Sequence, residues 1–71
     1  MKIEEFLTKK KKTIRGFAKQ LGISRYSISK YIDGHKPTRK LAWIIFMATD
    51  GQVTFQDLKY DSPPPNPFKD I

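Results

Sequence analysis

One short segment of the chain, "SRYSISKYI" at residues 24–32, carries two kinds of side chain at helical spacing. At about 100° per residue, Ile28, Tyr31 and Ile32 fall in one arc of a helix and can be buried. The other arc, here called the outward arc, consists of Arg25, Tyr26, Ser29 and Lys30. Arginine can donate two hydrogen bonds to guanine O6 and N7, and lysine and serine can bind base edges or phosphates. The outward arc therefore has the chemistry of a nucleic-acid reader.

Catalysis and metal binding fit the sequence poorly. The single histidine, His35, lies in a basic turn with no obvious carboxylate or nucleophile beside it. A metal site needs several ligands, and no spacing of side chains offers such a set. The chain also contains no cysteine and no glycine-rich phosphate loop. We therefore expect no catalytic residue, no metal and no cofactor.

The composition indicates a small domain with an anionic partner. Lys and Arg number 14 against 7 Asp and Glu, a net charge of +7 in 71 residues. This excess favours a polyanion as partner, although a solvated basic surface without one is the alternative. No signal peptide is visible after Met1, and the apolar run at 41–48 is far shorter than the roughly 20 residues of a membrane span. We expect one cytoplasmic domain of residues 1–60 and a flexible Pro-rich tail of residues 61–71.

Apolar spacing and capping residues predict four helices and one further short turn of helix at 53–58. The first covers residues 2–8, and the acids in its first turn favour it. Four hydroxyl residues are placed to cap the later helices: Thr13, Ser24, Thr38 and Thr54. Gly22 and Gly34 stand where the second and third helices should end, because glycine adopts a positive φ without steric cost. The "DG" at 50–51 should end the fourth helix.

The second and third predicted helices match the spacing of a helix-turn-helix unit. Such a unit needs a small residue where its helices cross and a glycine in its turn, and Ala18 and Gly22 supply them. Ile23 and Ile28 provide the apolar residues after the turn. An Ala-Gly-Ile spacing alone is common by chance, but together with the outward arc it indicates a DNA-binding module.

These residues carry a resemblance to a known family. "FAKQLGISRYSISKYIDGHKPT" resembles the core of the Cro/CI-type helix-turn-helix repressors of bacteriophages and bacteria, and "ATDGQVTFQDL" resembles the segment that closes many phage Cro-like members. The resemblance covers roughly residues 3–58. It implies an all-α, compact, five-helix, lambda-repressor-like bundle that binds double-stranded operator DNA, usually as a homodimer. We therefore expect a Cro-like transcriptional regulator, a repressor of phage, prophage or bacterial origin.

Carried across by position, the resemblance assigns two groups of DNA-contacting residues. The residues expected to face the major groove are Ser24, Arg25, Tyr26, Ser29 and Lys30. Those expected to bind phosphates are Thr13, Arg15, Lys36, Thr38, Arg39 and Lys40. The sequence departs from the family at Ile14, where many members carry glutamine, and at Lys12, where many carry an apolar residue. Because isoleucine cannot form the hydrogen bond of that glutamine, this contact is not expected here.

The fourth predicted helix, "LAWIIFMAT", is apolar on nearly every side. A helix of this kind is normally buried all round, and so small a domain cannot surround one. We expect a homodimer interface there, formed by Trp43, Ile44, Phe46, Met47, Val53 and Phe55. The alternative is that the first helix and the tail cover this side within one chain, with help from Tyr60 and Phe68.

Two other partners fit parts of the sequence. An antitoxin-type helix-turn-helix protein binds mainly a toxin protein, and the apolar fourth helix and Pro-rich end would suit that partner. A pure protein binder, however, would not need the outward arc. RNA binding would satisfy the charge, but the sequence has no stacking-aromatic sheet motif to support it.

Overall fold

Four helices make up the body of the protein in a computed structural model that describes residues 1–68. They are α1 (Ile3–Lys9), α2 (Ile14–Leu21), α3 (Arg25–Ile32) and α4 (Arg39–Ala48). No strand occurs within residues 1–68, and the Cα radius of gyration is 11.4 Å, as expected for a compact domain of this length. The all-α prediction is confirmed. None of these four helices is long and apolar enough to cross a membrane, judged over the described residues.

The starts of α2, α3 and α4 are capped as the sequence predicts. In each, a hydroxyl oxygen accepts a hydrogen bond from the backbone N–H three residues later. The bonds are Gly16 N to Thr13 Oγ1 (3.0 Å), Ser27 N to Ser24 Oγ (3.2 Å) and Leu41 N to Thr38 Oγ1 (3.3 Å). A cap of this kind stabilises a protein by about 1 kcal/mol, which matters for helices of eight to ten residues.

All four helices end in a Schellman turn, in which one residue takes the left-handed conformation and two amides bond back to the last helical turn. The left-handed residues are Lys11 (φ 55°), Gly22 (76°), Gly34 (109°) and Asp50 (54°). In α1, Lys12 N donates to Leu7 O at 2.8 Å and closes the turn. Gly22 and Gly34 thus end their helices as predicted, whereas α1 uses a lysine at the same position.

The segment 54–60 is a single closed turn, close to the short helical turn predicted at 53–58, and not a full fifth helix of the kind that the resemblance implies. It begins as expected, because Thr54 N and Oγ1 donate to Asp57 Oδ2 at 2.9 and 2.7 Å. It ends at once, because Lys59 has a φ of 73° and Tyr60 N bonds back to Phe55 O at 2.9 Å. The residues that start and end this segment are too close together for a regular series of i to i−4 backbone hydrogen bonds to form.

The core lies between the helices and this turn. Its buried apolar side chains are Ile3, Phe6, Leu7, Phe17, Ala18, Ile28, Ala42, Ile45, Val53, Phe55 and Leu58. One hydroxyl is buried with them. Thr49 Oγ1 donates to Ile45 O at 2.9 Å and accepts from Val53 N at 3.1 Å, which ties the end of α4 to the following segment.

The beginning of the Pro-rich tail lies against α4. Trp43 Nε1 donates to Pro64 O at 3.0 Å, and just upstream Tyr60 Oη donates to Pro37 O at 2.7 Å. Phe68, by contrast, is 45% exposed. The tail therefore covers part of α4 within one chain, but Phe68 does not complete the cover. Residues 69–71 of the predicted tail lie outside the described residues.

Candidate nucleic-acid interface

α2 and α3 form the predicted helix–glycine turn–helix arrangement. Ala18 is buried where the helices pack, and Gly22 adopts φ 76° and ψ 28° between them. Ile23 N then donates to Ala18 O at 3.0 Å, which sets the direction in which the chain enters α3. Because a side chain at position 22 would be strained at this φ, glycine is the residue that lets α3 begin so soon after α2.

The outward arc of α3 lies on the surface. Arg25, Tyr26, Ser29 and Lys30 are all exposed, and Tyr26 has 70% of its surface accessible. On the opposite side, Ile28 is fully buried in the core. α3 is therefore held by its apolar side with its polar side free. Base reading by these residues remains a prediction.

Ser24 has a structural role at the start of α3. Its Oγ accepts from Ser27 N and also lies 3.2 Å from Ser27 Oγ. A hydroxyl has one proton and two lone pairs, so these two contacts leave little capacity for a base edge. Among the five predicted base readers, Ser24 is therefore the one whose side chain already forms hydrogen bonds within the folded chain.

An open groove of about 520 Å³ runs beside the packed ends of α2 and α3. It is lined by Arg15, Ala18, Lys19, Ile23 and Arg25. Three cations thus surround an apolar floor, an arrangement that suits a phosphate backbone. Lys19 was not predicted as a site residue. Its position four residues after Arg15 was the available signal, because side chains at that spacing share one helix face.

The first turns of α2, α3 and α4 contain cations and no acidic residue. The cations are Arg15, Arg25, Arg39 and Lys40. The positive end of a helix dipole disfavours a cation by about 0.3–1 kcal/mol at an exposed site. A bound phosphate would remove this cost, because it attracts both the cation and the free backbone N–H groups.

Three of the predicted phosphate contacts already have partners within the chain. Thr13 and Thr38 accept the capping bonds, but each hydroxyl keeps its proton for donation to a phosphate. Lys36 Nζ lies 4.2 Å from the centre of the Tyr60 ring, in a cation–π contact. To bind a phosphate, the Lys36 ammonium group must either keep its contact with the Tyr60 ring at the same time or move away from the ring.

Acidic side chains do not neutralise the cations of this surface. The one ion pair within residues 1–68 joins the Met1 ammonium to Asp57 at 2.9 Å. Arg25 lies over the Tyr26 ring at 5.6 Å, which leaves its charge intact. Lys12 Nζ likewise donates to a neutral acceptor, Gln20 Oε1, at 3.0 Å. The positive charge therefore remains available to a polyanion.

The six residues predicted to form a dimer interface fall into two groups. Trp43, Ile44, Phe46 and Met47 keep accessible surface, and Met47 is 47% exposed. Val53 and Phe55 are only 0% and 5% exposed, so within the single chain they leave little surface for a second copy. The chain buries them itself, because Phe55 stacks on Phe46 with ring centres 4.6 Å apart and closes the core beneath α4.

Within residues 1–68, no three His, Asp or Glu side chains lie close enough together to hold a metal ion. No protein-family model matches the chain, and it matches neither a curated protein nor a solved structure. The function is therefore inferred from the residues and their geometry.

Proposed function

We propose that the protein is a lambda-repressor-like helix-turn-helix regulator of the Cro/CI type that binds double-stranded operator DNA as a homodimer. The observation that carries this proposal is the exposed outward arc of α3, on a helix whose other side is buried in the core. The adjoining groove lined by Arg15, Lys19 and Arg25 supports it, because three cations without acidic partners suit a phosphate backbone. Its place of action would be the cytoplasm or nucleoid of a bacterial cell.

In this proposal α3 enters the major groove. Arg25 donates two hydrogen bonds to guanine O6 and N7, while Ser29 and Lys30 bind base edges or phosphates next to it. Tyr26 donates its hydroxyl to a phosphate or packs its ring on a thymine methyl group. The phosphate contacts fix the register of α3 on the duplex without reading sequence themselves.

The cations outside α3 would hold the DNA backbone. Arg15 and Lys19 flank one side of the recognition helix, and Arg39 and Lys40 follow it at the start of α4. A phosphate at the start of α2 or α4 would also accept hydrogen bonds from backbone N–H groups. Repression follows from occupying a site that RNA polymerase needs.

Selection of binding sites from random duplex DNA, carried out at two salt concentrations, tests the proposal. We expect a palindromic motif whose half-sites lie about one helical turn apart, the spacing that a two-fold dimer requires. Binding to all sequences alike, abolished by salt, would show attraction by charge only and would contradict the proposal. The partner would then be sought at α4, where an antitoxin would bind its toxin.

A further inference from the structure

The three longest charge-free stretches of this basic chain meet in one groove. They are residues 41–49, 51–56 and 62–68. The groove, here called the Trp43 groove, has a volume of about 380 Å³, and each stretch supplies part of its wall: Trp43 and Phe46, Phe55 and Gln56, Ser62 and Pro63. The one charged residue in its lining is acidic, Asp61. Two copies of a chain with a net charge of +7 repel each other over most of their surface. A surface without positive charge is where they can approach at least cost.

The Trp43 groove has the chemistry that binds a proline-rich segment. Trp43 lies with its ring centre 4.8 Å from that of Phe55 and 5.6 Å from that of Phe46. Its indole N–H donates to Pro64 O at 3.0 Å. Aromatic side chains with such a donor recognise extended proline-rich chains, which have few backbone N–H groups but free carbonyls.

The tail is restricted to extended conformations before it binds. Residues 62, 63, 64 and 66 each precede a proline, which disfavours the helical conformation for them and favours an extended one. The tail therefore loses little conformational entropy in the groove. It can also reach a second copy without melting any helix, since it lies beyond the last closed turn.

The contacts that hold the tail in its own groove are few. Beyond Tyr60, the bond from Trp43 to Pro64 is the one hydrogen bond in the described part of the chain that joins the tail to the helices. Pro63 and Pro65 are exposed, as is much of Phe68. Exchange of identical segments between copies keeps this bond in each copy, so no hydrogen bond is lost when the tails change places.

We propose that two copies of this chain exchange tails, so that residues 61–68 of each lie against Trp43 of the other and form the tail side of its Trp43 groove. Pro64 O of each copy then accepts the bond from Trp43 Nε1 of the second copy. This inference rests on the proposed homodimer and names the contact that forms it. In the exchanged dimer, the exposed Met47 lies on the α4 helix that the incoming tail of the other copy contacts.

Mixing two full-length variants tests the exchange directly, because Trp43 is the single tryptophan of the chain. The reporter copy keeps Trp43 and carries Pro63→Gly, Pro64→Gly and Pro65→Gly. The donor copy carries Trp43→Phe and an intact tail, so it contributes no tryptophan signal. We expect the donor to shift the emission of the reporter to shorter wavelength in a saturable manner, as its tail covers Trp43. The control donor carries Trp43→Phe and the three glycines, and it should cause no shift.

Two results would overturn the exchange. If neither donor shifts the emission, the tail binds only its own groove. If both donors shift it equally, the α4 surfaces pack together without the tails. Circular dichroism confirms that each variant is folded.

The reporter copy on its own provides a second measurement. At concentrations where the unmodified protein sediments as a dimer, the reporter copy should sediment as a monomer, because its three glycines weaken the tail that joins the two copies. A dimer of unchanged stability in the reporter copy would contradict the exchange. A palindromic motif from the DNA selection together with that unchanged dimer would leave the proposed function standing while the exchange falls.

Discussion

At the scale of the residue, some side chains of α3 stabilise the helix, and others face outward. Ser24 starts the helix through its bond from Ser27 N, and Ile28 anchors the helix in the core. Arg25 and Lys30 neither cap the helix nor anchor it in the core, and both are exposed. Substitutions at these positions should therefore separate stability from DNA binding.

Arg25→Ala should weaken binding to the selected operator by about 1–3 kcal/mol and relax the preference at one base pair, because a bidentate contact to guanine is lost. Lys40→Ala serves as the matched control, since it also removes one exposed cation. It should weaken all sequences by a similar factor and reduce the salt dependence of binding. Binding titrations on the operator and on variants with one changed base pair measure both effects. An equal loss on every sequence for Arg25→Ala would contradict base reading.

Ser24→Ala should lower the free energy of unfolding by about 1 kcal/mol, because the capping bond to Ser27 N is lost. Ser24→Asp should keep most of the stability, since aspartate caps helices as well as serine does and favours the positive end of the dipole. The same aspartate should reduce DNA binding by repelling phosphates. Urea unfolding and DNA titration of both variants test this separation. Equal loss of stability in the two variants would show that the missing capping bond is not the cause of the lower free energy of unfolding.

At the scale of the element, every helix ends in a Schellman turn, but the residue type at the left-handed position differs between helices. The left-handed position holds glycine after α2 and α3, lysine after α1 and aspartate after α4. A non-glycine residue in this conformation costs about 1–2 kcal/mol. Lys11 therefore stores strain that a glycine would release.

Lys11→Gly should raise the free energy of unfolding by roughly 0.5–1 kcal/mol, because the released strain exceeds the extra entropy of glycine in the unfolded chain. Lys11→Ala is the matched control. It removes the same charge but keeps the strained Cβ, so it should not stabilise. Chemical denaturation of the three proteins gives the comparison. A similar gain for alanine would assign the effect to charge repulsion within the run of lysines at 9–12.

At the scale of the whole molecule, a charged pair joins the start of the chain to its last closed turn. Burial raises the pKa of Asp57, but hydrogen bonds from the Met1 ammonium and from Thr54 outweigh it and hold the pKa below its ordinary value of 3.8. A carboxyl group with a lowered pKa stabilises the fold above its unfolded pKa. That contribution is lost as the pH falls through the folded pKa.

Asp57→Asn should therefore be less stable than the unmodified protein at neutral pH, and the difference should shrink as the pH falls below about 4. Thermal unfolding across that pH range gives the comparison. Asp33→Asn is a suitable control, since Asp33 is exposed and has an ordinary φ of −74°. A difference between Asp57→Asn and the unmodified protein that is independent of pH would mean that the carboxylate charge plays no part.

Met47→Glu should leave a folded monomer, because it places a carboxylate on the apolar side of α4 that a second copy would cover, and burying an unpaired charge is costly. Thr8→Glu adds the same charge on the exposed side of α1 and should leave the mass unchanged. Sedimentation distinguishes monomer from dimer, and circular dichroism confirms folding. A dimer of unchanged stability for Met47→Glu would place the contact between copies elsewhere.

Local sequence patterns determined the four helices, the hydroxyl caps of α2, α3 and α4, the glycine turn at Gly22 and the division of α3 into a buried and an exposed side. Such features depend on residues within one or two turns of each other, so spacing alone reveals them. The tertiary structure decided what depends on residues far apart in the chain. It buried Val53 and Phe55, brought Lys19 to the groove beside Arg25, and laid Pro64 against Trp43.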